Sequence, residues 1–190
     1  ASNVAADNVV EVLLRTRDGT SGYSKDELVR VANEDGVTTT AVRPHTPWER
    51  FWPSYKAKYP GADPKHQDVQ DDFKAARKKI LRDAKVIVVT LESSVLVFDS
   101  PKADQPYITI QDESSQATGA MSFIGLQYAV RGGGRAVLVG DTAQLGPVVT
   151  SPVAAANGHA VSIQELLIEH FAESEEDVVM LRLSLIHISS

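Results

Sequence analysis

The chain has 190 residues, 43% hydrophobic and 23% charged, which is enough to bury one core and ordinary for a globular protein. No apolar run reaches the ~20 residues that span a bilayer, and the opening Ala1-Ser2-Asn3 lacks a signal peptide's basic and apolar regions. A net charge of −6 excludes a broadly basic nucleic-acid coat while allowing a local basic strip, and the absence of cysteine excludes disulfides and thiolate metal sites.

In chain order, Ser24-Lys25-Asp26-Glu27 fits a capping box, a hydroxyl answered by Glu three residues on, and predicts a helix that Gly36 stops. Residues 38–42 are apolar and β-branched and read as a buried strand. Thr46-Pro47-Trp48-Glu49 is a second capping box, with Pro47 at the first helical position. Residues 44–85, holding five prolines and six aromatics, interrupt the rhythm and read as an inserted helical subdomain. Trp48, Phe51, Trp52, Tyr55 and Tyr59 share one helix face, a spacing that core packing explains more simply than base stacking. Lys74, Lys78, Arg82 and Lys85, with Arg77 beside them, form a basic stripe that suits either solvent or phosphates. Strands follow at 86–90, 107–110, 136–139 and 178–183, with a helix from a third capping box, Ser162-Ile163-Gln164-Glu165. Apolar strands alternating with helices predict an α/β fold on a mostly parallel sheet.

The strand at 107–110 runs into Gln111-Asp112-Glu113-Ser114-Ser115-Gln116. Ligands of parallel sheets collect at strand carboxyl ends, where such an acidic pair supplies one carboxylate for Mg²⁺ and another to orient and deprotonate water. Acidic pairs are also plain turn residues. The strand at 136–139 ends in Gly140-Asp141-Thr142-Ala143-Gln144-Leu145-Gly146-Pro147. Gly-Asp alone is turn chemistry, but a turn does not require the Gln-Leu-x-Pro that follows. A Gln amide both donates and accepts, so it can touch a phosphate oxygen and report its loss.

These two segments resemble motifs II and III of superfamily-one helicases, in the branch of the nonsense-mediated-decay helicase. Ser2-Asn3-Val4-Ala5-Ala6-Asp7-Asn8 is similar to motif Ia, and residues 85–90 followed by Ser93-Ser94 to motif Ic. The resemblance covers about residues 1–184. It implies a RecA-like P-loop nucleoside triphosphatase domain, the first motor domain of an intracellular ATP-dependent RNA or DNA helicase. It assigns Mg²⁺ to Asp112, water activation to Glu113 and the ATP phosphates to Gln116 and Gln144, with Asp141 also among the cofactor-binding residues. Ser2, Asn3, Thr90 and Ser93 are assigned to single-stranded RNA or DNA. Ser114 stands where the family has Ala, and Gly146 where it has Pro. No Gly-x-x-x-x-Gly-Lys-Ser/Thr occurs in the chain. The expectation is therefore an incomplete motor domain, its phosphate loop upstream, inactive alone, with residues 185–190 a non-native tail. Two rivals remain: a metal-dependent hydrolase built on Asp112, Glu113 and Asp141, and a non-enzymatic binding module.

Overall fold

A computed structural model describes residues 2–15, 22–32, 36–37, 39–98, 108–131 and 133–171. They fall into two compact units, Ala1–Asp112 with Ala120–Val137, and Glu113–Gly119 with Leu138–Ser190.

In the first unit, helix α1 (Asn3–Arg15) buries Ala6, Asp7 and Val10. Strand β1 (Leu28–Val31) follows where a helix is expected. The Ser24 box does form, since the Glu27 carboxylate accepts from the Ser24 N–H at 3.2 Å and from its hydroxyl at 3.1 Å. It closes one turn, and the chain then extends. All four β1 residues are buried, and they pair in parallel with strand β2 (Val86–Val89), Leu28 opposite Val86 and Val31 opposite Val89. A buried β-branched ladder outweighs a local cap worth about 1 kcal/mol.

The strand expected at 38–42 is also corrected. Thr38 lies outside the described residues, and the rest turns into a 3₁₀ helix, Arg43–His45. Pro44 lacks a ladder donor and suits that turn better than a strand. Val42 still reaches the core, packing with Val10, Leu28 and Val37.

Helix α2 (Pro47–Lys58) starts as expected, with Thr46 Oγ1 accepting from the Glu49 N–H at 3.3 Å. Helix α3 (Gln67–Asp83) packs beside it through aromatic rings. Phe73 lies edge-on to Trp48 at 4.9 Å and 5.4 Å from Phe51, so these two rings of the α2 face serve packing. The far end of α3 belongs to the main core: Leu81 and Ala84 join Val29, Val31 and Val97 in one buried cluster. Val97 is part of a short helix, α4 (Val95–Phe98).

Strand β3 (Ile108–Gln111) pairs with β4 (Arg135–Leu138), and helix α5 (Gly119–Arg131) lies between them in sequence. Gln111 Nε2 donates to the Ser122 carbonyl at 2.8 Å. A Cβ on Gly125 would come within 2.4 Å of that nitrogen, so any larger residue there would have to displace the Gln111 amide from its bond to Ser122.

The second unit carries a short helix, α6 (Pro152–Ala154), and α7 (Ile163–His170). Ser162 caps α7 as expected, accepting from the Glu165 N–H at 3.1 Å, and its backbone bridges antiparallel to Thr118. The strand expected at 178–183 and the tail at 185–190 lie outside the described residues. Among the described residues, helices accompany short strands with one parallel pair, as an α/β chain has, and no helix is long and apolar enough to cross a membrane.

Candidate functional site

Asp112 follows β3 at the end of a segment of the first unit, and its side chain is exposed. Glu113 opens the second unit with φ 54° and ψ 37°. Among the described residues it is the one non-glycine at positive φ. A left-handed conformation costs a residue with a Cβ about 1–2 kcal/mol, and such strain persists only where surrounding bonds over-determine it. Here the next residue supplies them: the Ser114 N–H donates to the Val139 carbonyl at 2.9 Å. The Glu113 carboxylate accepts from Gln116 Nε2 at 3.0 Å, so these two expected site residues are brought together.

Asp141 and Gln144 are a second pair. Asp141 Oδ1 accepts from the Ala143 N–H at 2.9 Å and Oδ2 from Gln144 Nε2 at 3.2 Å, while its carbonyl accepts the Gln144 N–H. This is an Asx turn that holds an exposed amide at a strand end.

The residues expected to meet nucleic acid are mostly engaged locally. Ser2 Oγ accepts from the Ala5 N–H at 3.3 Å and so caps α1. Asn3 Oδ1 accepts from Arg30 Nη2 at 2.9 Å. Thr90 is buried, and its hydroxyl accepts from the Ser93 N–H at 3.3 Å. In the basic stripe, Lys85 pairs with Glu27 at 2.6 Å, Arg82 with Asp83 at 3.4 Å, and Arg77 lies over the Phe73 ring. Lys74 is exposed and Lys78 half-buried.

Burial, then a hydrogen bond to Asp72, pushes the Tyr55 phenol above its ordinary pKa, while a hydrogen bond to Tyr59 raises Lys58. These titrations belong to α2 and its neighbour α3.

The sequence pattern of the AAA domain family matches residues 54–152, just over half of the chain. The chain belongs to this family. The AAA domain matched here runs from within α2 to the first residue of α6, and it includes Asp112, Glu113, Gln116, Asp141 and Gln144 but not Ser2 or Asn3. The family occurs in superfamily-one helicases, so the chain carries a helicase-like nucleoside triphosphatase domain, of a kind that generally uses ATP and Mg²⁺. A search of curated proteins found no match.

Among the described residues, no three His, Asp or Glu side chains converge as an all-protein metal cage. Mg²⁺ in such domains needs only one or two carboxylates beside water and substrate phosphates, and the exposed Asp112 carboxylate suits that donor set. In the sequence Gln164 stands out only as part of the Ser162 box. Its side chain is buried against the acidic loop, hydrogen-bonding Ser114.

Proposed function

We propose that this chain belongs to the nucleotide-hydrolysing motor domain of an ATP-dependent helicase acting on single-stranded RNA or DNA, and that it supplies the Mg²⁺ and sensor side of the nucleotide site without the phosphate loop. The observation that carries the reading is Glu113, a strained left-handed residue whose carboxylate is held by Gln116, inside a helicase-type AAA domain. Strained residues of this kind cluster at active sites and ligand clamps.

Asp112 is the Mg²⁺ ligand and Glu113 the general base that orients water and accepts its proton. Bound ATP and Mg²⁺ supply the phosphoryl group and the positive charge that offsets its developing negative charge. Gln116 holds the Glu113 carboxylate at rest and faces the nucleotide when it is bound. Asp141 shapes the turn that presents Gln144, and the Gln144 amide senses the terminal phosphate. Ser2, Asn3, Thr90 and Ser93 line the nucleic-acid side through the segments they cap and fasten. Residues 44–85 form an insertion beside that path.

The test is Glu113→Gln in the complete gene product. The amide keeps the shape but cannot accept a proton, so ATP turnover should fall by ~10²–10⁴-fold with ATP affinity nearly unchanged. Near-normal turnover would return Asp112-Glu113 to the status of a structural turn.

A further inference from the structure

Gln164 lies on α7, outside both loops of the proposed site, and is only 8% exposed. Its Oε1 accepts from the Ser114 hydroxyl at 2.6 Å, and its Nε2 donates to the Gly140 carbonyl at 3.0 Å. A neutral amide supplies both an acceptor and a donor, which a carboxylate or a hydrocarbon cannot. The Ser114 hydroxyl has one proton and two acceptors in reach, Gln164 at 2.6 Å and the Val139 carbonyl at 3.0 Å. The shorter distance assigns that proton to Gln164. The Ser114 N–H still secures Val139.

Gly140 is fitted to this arrangement. A Cβ there would come within 2.5 Å of Gln164 Oε1 and 2.9 Å of the Ser115 nitrogen, so no other residue permits the approach. The relay therefore runs Ser114, Gln164, Gly140, and it joins the residue after Glu113 to the first residue of the Asp141–Gln144 turn.

We propose that Gln164 is a positioning residue that couples the Glu113 loop to the Gly140-Asp141-Thr142-Ala143-Gln144 loop, so that a shift at one is transmitted to the other. Its catalytic meaning rests on the functional reading above, but the relay itself is a property of the second unit and can be read without nucleotide.

Hydrogen exchange on the chain tests it at two amides, those of Ser114 and Gln144. Gln164→Met keeps the length and removes both bonds, and exchange at both amides should rise about tenfold, the order expected when a buried hydrogen bond is removed. Peptides covering Val86–Val89 should not change. Gln164→Glu keeps the acceptor for Ser114 but sets a carboxylate against the Gly140 carbonyl, so Gln144 should speed up while Ser114 stays near wild type. Ser114→Ala, whose truncation is mild enough to fold, should speed the Gln144 amide through the relay alone. Unchanged Gln144 exchange in Ser114→Ala and in Gln164→Met, or a uniform rise that includes β2, overturns the coupling. In the complete gene product, Gln164→Met should lower nucleic-acid-stimulated kcat about tenfold and leave the KM for ATP within about twofold, the split expected when a group acts only in the transition state. A kcat equal to wild type overturns the catalytic role. Absence of ATP turnover in the wild type would instead sink the functional reading, and the exchange pattern would still decide the relay.

Discussion

Arg30 Nε and Asp7 Oδ1 lie 2.9 Å apart with neither side chain exposed to solvent. The guanidinium also donates to Asn3 and to the Val31 carbonyl, so the charge pair clamps α1 onto β1 with most of its donors satisfied. Breaking one side of a buried pair strands the other charge. Asp7→Ala should therefore cost about 3–5 kcal/mol, whereas Asp7→Leu with Arg30→Met should cost much less. Urea unfolding of the two variants measures the difference, and equal losses would mean the pair is solvated in practice.

Glu113 should be replaceable by glycine without loss of stability. Glu113→Gly relieves a left-handed backbone and should be neutral or stabilising by up to about 1 kcal/mol, while the β-branched Glu113→Val should destabilise by about 1 kcal/mol or more. Chemical denaturation checks both, and a more stable valine variant would remove the argument from strain.

In the complete gene product, Asp112→Asn should lose ATP turnover through weakened Mg²⁺ binding, so added Mg²⁺ should restore part of it. Gln144→Ala should leave ATP binding close to normal yet lower the unwinding achieved per ATP. Titrating Mg²⁺ and measuring both rates separates these roles. An Asp112→Asn defect indifferent to Mg²⁺ would exclude the metal assignment.

The basic stripe should split in two. Lys85 and Arg82 already have carboxylate partners, so the cations left to meet phosphates are Lys74 and Lys78. Their joint change to Ala should reduce the salt dependence of single-strand binding by up to about 0.7 for each phosphate no longer neutralised, with Lys85→Ala leaving it unchanged. Binding isotherms at several salt concentrations give the slope, and the reverse ranking would contradict the assignment.

Alkaline pH should weaken the α2–α3 region. Tyr55 and Lys58 both have folded-state pKa values raised above their ordinary ones. A raised group holds its proton more tightly when folded, so its stabilisation is present below the ordinary value, about 10 for Tyr, and is lost as pH rises through the folded one. Tm should fall in that window, and Tyr55→Phe should flatten the fall. An unaltered slope would place the alkaline sensitivity elsewhere.

Whatever depends on neighbours within a few residues was legible in the sequence. The Thr46 and Ser162 boxes form because a hydroxyl and an N–H three residues later meet in any helix. The strands near 86–90, 107–110 and 136–139 appear within a residue or two of their apolar runs, and the acidic and Gly-Asp loops follow two of them. Local chemistry also shows its limit at Ser24, where the box closes but a strand follows. Leu28–Val31 finds its ladder partner in Val86–Val89, far along the chain, and no local signal announces that pairing. For the same reason Arg30 looks like a charge that should spoil a buried strand until folding brings Asp7 and Asn3 to it. Gln164 reads as one polar residue in a capping box, and only tertiary packing sets its amide between Ser114 and Gly140. Residue types and their order determined which chemistry the loops carry. Long-range burial decided which polar groups lose their water, and a group without water must take whatever partner the fold delivers.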